Sequence, residues 1–285
     1  MQFRQTSISI LCLFIGQLLV PSSRLDAQAC KKVTAERFYR EADVYASSPY
    51  KQGEVSEYKV YYGLIYVGNG HVKVNPPFKF KNNWRQVFDA EGKTGSWYSF
   101  VFSGHDRMRV ISSADRGLAL WAYVDQNEQP IGAKPYIKQK TMMFDPIECK
   151  VETKSFRDND KSKLKTKVNS YDPSASDTLS AVFTMRNKRD FKMDQTITFP
   201  VFSSGKSWNL EATPVGYEKV YVKGLGHQRC LKLKIQTYIG SHLQQKGSMF
   251  AWISEDHPSR PLVKATGDLR IGKISVELTK FKAGK

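Results

Sequence analysis

The sequence is short of the features that announce an enzyme. It holds no G-x-S-x-G elbow to raise a serine nucleophile and no Cys–His signature. Its histidines, His71, His105, His227, His242 and His257, are scattered, with no H-x-x-x-H pair and no two cysteines close together. No metal site is assigned. The run SSGKS at 203–207 ends like a phosphate loop, but that motif needs glycine where Pro200 stands. No cofactor is expected. Acids are scarce, 27 against 44 Lys and Arg. Asp115, Asp145, Asp172 and Asp177 fall where turns and helix caps explain them. No catalytic residue is assigned.

Long apolar runs are almost absent too. The single one, residues 8–20, follows Arg4 and is too short to span a bilayer comfortably. Pro21 and the polar SSRLD stretch end it, and Ala27-Gln28-Ala29 fits the small-x-small rule of signal peptidase. Residues 1–29 read as a signal peptide. The protein is expected to be exported, periplasmic or beyond, with no transmembrane segment after cleavage.

Cleavage after Ala29 makes Cys30 the first mature residue, the position of a diacylglyceryl anchor. Against lipidation, Ala27 stands where a lipobox prefers leucine, and charged residues separate the apolar run from the cysteine. The unlipidated form is favoured. Cys12 leaves with the signal, so Cys30, Cys149 and Cys230 remain, an odd number in an oxidising compartment. One solution lipidates Cys30 and bridges Cys149 to Cys230; another leaves all of them reduced. Strand parity weighs against the bridge. Cys230 points with Lys232 and Lys234, whereas Cys149 shares a face with Ile147 and Val151, so a bulge or sheet end is needed to bring them together.

The chain is strongly basic, with a net charge of +17. For a cytosolic protein that balance would suggest nucleic acid. For an exported one it suggests anionic envelope components instead: lipid headgroups, lipopolysaccharide or cell-wall polymers. Lysines spread along strand edges, where they discourage aggregation, account for much of the charge without any partner.

Residues 30–52 are mixed and polar and read as a tether. From residue 53 the texture turns to β. Tyr58, Val60, Tyr62, Leu64 and Tyr66 alternate as one apolar face. Near the end Ile274, Val276 and Leu278 alternate with polar residues. One helix is expected at 177–187, capped by Ser176 or Asp177, with Leu179, Val182, Phe183 and Met185 at helical spacing. The acidic group Glu255-Asp256-His257 precedes Pro258 and Ser259 between two apolar strands, which makes it a hairpin corner rather than a catalytic cluster. The expected architecture is mainly β, with curved antiparallel sheets, half-barrel or barrel-like, in a single domain at 53–285. Aromatics make up 12% of the chain, many of them at alternating positions; they read as core, or else as the lining of a ligand cavity.

Two motifs carry a resemblance. The first is D-x-x-S-x-x-x-x-x-R, met by Asp177, Ser180 and Arg186. The second is a tryptophan strand with an acidic corner, met by Trp252, Ser254, Asp256, Arg260 and Pro261 and followed by Ile271-Gly272. Over residues 53–280 the chain resembles domain-of-unknown-function family 3108, a group of bacterial exported proteins. The resemblance implies an antiparallel β protein of the cell envelope and no established activity. Asp177, Ser180, Arg186, Trp252, Asp256, Arg260 and Gly272 are expected to be structural. The leading expectation is a non-enzymatic envelope protein that binds an amphiphile or cell-wall component, or acts as a scaffold. The alternative is a hydrolase of an envelope polymer whose carboxylates carry no recognisable motif. A deep apolar cavity would favour lipid carriage, and a polar cleft with two carboxylates would favour a glycan.

Overall fold

The computed structural model describes residues 50–285 apart from 81–82, 98, 100–101, 115–116, 131–133, 204, 241, 245–246 and 270–271. The expected signal peptide, Cys30 and most of the expected tether, together with Asp115 and Ile271, lie outside these residues.

A single antiparallel sheet makes up nearly all of the described fold. Its N-terminal half is a meander: β1 (Val55–Tyr62), β2 (Ile65–Phe80), β3 (Asn83–Thr94), β4 (Phe102–Ser113), β5 (Ala119–Pro130), β6 (Tyr136–Asp145), β7 (Lys150–Arg157) and β8 (Lys165–Ser170). The C-terminal half holds β9 (Ile197–Ser203), β10 (Lys206–Val222), β11 (Gly226–Ile239), the short β12 (His242–Leu243), β13 (Met249–Ser254), β14 (Leu262–Asp268) and β15 (Lys273–Lys282). The last strand, β15, pairs with β1, so the two halves form one sheet with β8 at one edge and β9 at the other.

Curling brings those edges near each other without closing the ladder. The Phe202 ring meets Phe144 at 5.6 Å and Tyr171 at 6.0 Å between centroids, both edge-on. β8, KTKVNS, is exposed along most of its length, and its alternating lysines suit an unpaired edge.

Alternation dictates which side of the sheet is inside. From β2 to β6 the even-numbered residues face inward, as Val74, Phe88, Val110, Ala122 and Met142 show by being buried. The even face of β1, with Tyr58 and Val60, continues into Leu278 and Val276 of β15.

Into this curl fits the helix α1 (Thr178–Asn187). Most of its residues are buried, as expected of a helix surrounded by protein on every side. Leu179 and Phe183 join the core of the N-terminal half, where Phe183 stacks on Phe88 at 4.3 Å. Ala181 and Met185 join the core of the C-terminal half, with Leu231, Leu233 and Ile253. The helix is the plug that makes two half-cores one.

Candidate functional site

The family-motif residues sit around α1. Asp177 is its N-cap: one carboxylate oxygen accepts from the backbone N–H of Leu179 at 2.9 Å and of Ser180 at 3.0 Å. Ser180 is fully buried. Burial pushes the Asp177 carboxyl up to about 6, against the opposing pull of hydrogen bonds from Ser180 and Leu179. A carboxyl raised above its unfolded value of roughly 3.9 contributes stability that is fully present below about pH 4 and lost as pH rises through 6. Asp177→Asn keeps a capping oxygen and removes the titration. We expect the variant to gain about 2–3 kcal/mol relative to the wild type between pH 4 and pH 7. Urea unfolding of both proteins at the two pH values checks this, and a pH-independent difference would contradict it.

Arg186, at the other end of the helix, is nearly fully buried and grips Glu54 with two parallel bonds, Nη1 to Oε1 at 2.6 Å and Nη2 to Oε2 at 2.9 Å. Nη2 also donates to the Ser259 carbonyl at 2.7 Å, and the guanidinium lies 4.8 Å from the Phe183 ring centre. Residues 255–261 connect β13 to β14. There Arg260 is buried with φ +46° and donates to the Lys188 carbonyl and to Glu255. Asp256 accepts from the Arg229 N–H at 2.6 Å, and His257 Nδ1 from the Ser259 N–H at 3.1 Å. Every polar group in this corner that is named here closes the turn or fastens it to the helix or to β11. Trp252 donates to Glu218 at 2.8 Å, and Lys232 lies 5.1 Å from the Trp252 ring and bonds the same carboxylate at 2.6 Å. Gly272 has φ +81°, and a Cβ there would stand 2.7 Å from the Tyr62 hydroxyl oxygen, so the turn into β15 requires glycine. The contacts of Arg186 and Arg260 tie the helix to Glu54 and to the connection between β13 and β14.

The cysteines end differently from the bridge considered above. Cys230 is free and buried, whereas Cys149 is disulfide-bonded, so the two are not joined. Cys149 lies in the turn between β6 and β7, near one edge of the sheet, and Cys230 lies on β11 in the other half. Burial first, then the nearby Asp256, Glu255 and Glu218, push the Cys230 thiol up to about 12, which makes it unreactive.

A different group stands out on the inner face. Four glycines lie together on three adjoining strands: Gly68 and Gly70 on β2, Gly92 on β3 and Gly104 on β4, all buried. Gly70 is directly opposite Gly92, Gly68 is opposite Thr94, and Thr94 Oγ1 accepts from the Gly104 N–H at 2.9 Å. Glycine inside a strand costs stability and marks a place where something approaches the backbone closely. Beside this floor run Asp106, opposite Gly92 and Gln126, and Glu128, opposite Gly104. Asp106 and Glu128 are each 1% exposed, and Gln126 is 5% exposed. Half-buried Lys138 follows, opposite Gln126. The same strands are apolar further along, at Met108, Val110 and Ala122. Asp106 and Glu128 are diagonal neighbours, a spacing of roughly 7–8 Å between strand positions.

Sequence reasoning passed over this row. Its signal lay in phase: in HDRMRV, Asp106 alternates with Met108 and Val110 and so faces the core, whereas His105, Arg107 and Arg109 do not. Gln126 and Glu128 stand in the same phase as Ala122.

Such a molecule is a curled, barrel-like antiparallel β protein with a helix at its heart and a glycine-floored polar row on its inner face. The chain belongs to the family described as protein of unknown function (DUF3108), whose model matches residues 57–279. No curated protein matched the sequence. Among solved structures it is similar to a β-barrel-like protein of domain of unknown function DUF1849 from Brucella abortus. That match has 8% identity and a TM-score of 0.51, covering 81% of this chain and 98% of the other. A protein described as exported and YmcC-like in fold, from Bacteroides fragilis, matches at 11% identity and a TM-score of 0.35, covering 82% and 97%. A protein described as a lipoprotein, from Parabacteroides distasonis, matches at 10% identity and a TM-score of 0.34, again covering 82% and 97%. The first of these likenesses shows the fold alone. Among the described residues no helix is long and apolar enough to cross a membrane.

Proposed function

We propose that this is an exported envelope protein that binds a polar, polyhydroxylated cell-wall component on the inner face of its sheet. Residues 1–29 act as signal peptide and 30–52 as tether to a domain at 53–285. The observation that carries the reading is the glycine floor of Gly68, Gly70, Gly92 and Gly104 beside Thr94, Asp106, Gln126 and Glu128. An acyl chain would be matched by an apolar wall; carboxylates and amides beside buried glycines match hydroxyl groups. The basic outer surface favours accumulation near anionic envelope polymers.

Calorimetric titration with soluble peptidoglycan glycan fragments tests this. We expect saturable binding that weakens tenfold or more, about 1.4 kcal/mol, in Gly92→Val, and that is unchanged in the outward-facing Lys93→Ala. Saturable uptake of a lysophospholipid with no response to glycan would overturn the proposal.

One observation favours a second reading. The register sets Asp106 and Glu128 on diagonal strand positions roughly 7–8 Å apart, and glycoside hydrolases work with a pair of carboxyl groups about 5–9.5 Å apart. Under that reading the protein releases reducing ends from the same fragments, and Asp106→Asn or Glu128→Gln abolishes the release.

A further inference from the structure

Cations crowd the inner face where the sheet runs out to its β8 edge. The register sets Lys138 of β6 opposite Gln126 and Lys140 opposite Val124, so both lysines continue the face that holds Asp106 and Glu128. Arg157 of β7 is opposite Lys138. On β8, Lys165 is opposite Ser155 and Lys167 opposite Thr153, in phase with Asn169 opposite the buried Val151. All five cations therefore stand on the inward side. Among the described residues of β4 to β8, two carboxylates share that side with them, Asp106 and Glu128. Lys138 and Lys140 are half-buried, whereas Arg157, Lys165 and Lys167, nearer the edge, are exposed. We propose that the inner face of β6 to β8 is an anion-binding subsite continuous with the glycine floor, and that its ligand is an acidic glycan whose carboxylate or phosphate groups lie on these five cations.

Inward lysines on an edge strand discourage aggregation, and that accounts for β8. It does not account for β6 and β7, which are paired on both sides. Lys138 and Arg157 stand directly opposite each other, a placing of like charges that costs stability. The outward lysines of β7 are ion-paired, Lys150 with Glu148 at 3.7 Å and Lys154 with Glu152 at 2.7 Å. Among the described residues Arg157, Lys165 and Lys167 have no such carboxylate, and Arg157 lies instead 5.3 Å from the centre of the Tyr136 ring. Opposite Lys167, the hydroxyl of Thr153 is buried with no hydrogen-bond partner among the described residues. An oxyanion supplies an acceptor to that hydroxyl and counter-charge to the row. Lys140 and Lys165 flank Ser155 from strands two spacings apart, about 10 Å, which lets their long side chains close on one acidic group. Ammonium groups are point charges without a fixed fork, so the row accepts carboxylate and phosphate alike. A glycan laid across the strands rests its hydroxyl groups beside Gly92 and Gly104 and its acidic groups on the cations.

This inference rests on the reading that a glycan binds the inner face, and one titration separates the two. Protein expressed from the full chain is titrated calorimetrically with three probes. They are soluble peptidoglycan glycan fragments, the same fragments with their carboxyl groups reduced to alcohols, and a glycerol phosphate oligomer. Two double variants accompany the wild type: Lys165→Gln with Lys167→Gln facing inward, and Lys150→Gln with Lys154→Gln facing outward on the neighbouring strand. Both remove the same charge from exposed positions, where substitutions seldom disturb folding. The wild type should bind an acidic probe about tenfold more tightly than the reduced fragments, and added salt should erode that preference. The inward variant should lose the preference and the outward variant keep it, while the reduced fragments bind all three proteins alike. Whichever acidic probe loses more affinity in the inward variant identifies the group that the row reads.

Equal binding of intact and reduced fragments, with no response to the oligomer, overturns the inference and leaves the glycan reading standing. Equal losses in the two variants overturn it as well, since the amount of charge and not its placing would then matter. Binding of the oligomer alone, lost in the inward variant, upholds the subsite and overturns the glycan reading. No response to any probe overturns both.

Discussion

Glu54→Ala should cost this protein about 3–5 kcal/mol, the usual penalty for stranding one partner of a buried ion pair. Glu54 and Arg186 are both nearly free of solvent, with side chains 4% and 5% exposed. Removing the carboxylate leaves a guanidinium that cannot lose its charge and has only the Ser259 carbonyl as a remaining protein partner among its named bonds. The melting temperature should fall by roughly ten degrees for a domain of this size. Arg186→Lys should fare nearly as badly, because an ammonium cannot place two parallel bonds on Glu54 while also reaching Ser259. The informative comparison is the pair exchanged for apolar residues, Glu54→Leu with Arg186→Met. That variant should recover most of the loss, since no buried charge is left unpaired. Urea unfolding of all four proteins checks the pattern. If the double variant is as unstable as Glu54→Ala, the cost lies in lost packing and not in a stranded charge.

How much of this could be read beforehand depends on the distance over which the signal acts. Strand faces were legible where a strand runs on, as Tyr58 and Val60 or Ile274, Val276 and Leu278 show, but the alternation expected through Leu64 and Tyr66 breaks at the turn between β1 and β2, where Leu64 is 99% exposed. The helix was legible because its cap lies one residue before it: Asp177 bonds the N–H groups of Leu179 and Ser180. Arg186 was recognisable as a motif residue, but its partner was not. Glu54 is 132 residues away, at the start of the domain, and nothing local marks it. The cysteines show the same limit. Parity warned that Cys149 and Cys230 face differently, but only the order of strands puts them in different halves of the sheet. The inner polar row was legible in principle and was missed. Asp106 stands among His105, Arg107 and Arg109, so a reader who counts charge sees a solvated stretch, and only one who counts phase sees a carboxylate pointing inward.

Phe183→Ala should be the other severe change, costing about 3–5 kcal/mol as large-to-small substitutions of buried aromatics do. The ring is 3% exposed and stacks on Phe88 at 4.3 Å, meets Tyr50 edge-on at 6.1 Å, and carries the Arg186 guanidinium on its face. Its loss therefore opens a cavity and also removes the cation–π support of the buried ion pair. The two effects share a partner, so Phe183→Ala and Glu54→Ala should not be additive. We expect a coupling energy of about 0.5–3 kcal/mol between them, whereas Phe183→Ala and Leu233→Ala should add more nearly, since Leu233 belongs to the other half-core. The position of α1 gives a further expectation. Because Ala181 and Met185 anchor the same helix in the C-terminal half, loss of Phe183 should lower the stability of the whole fold and leave a single unfolding transition. Circular dichroism and tryptophan fluorescence, followed together through a urea titration, decide this. Coincident curves at a lower midpoint fit a helix shared by both halves, and separate transitions would show that the halves of the sheet hold together without it.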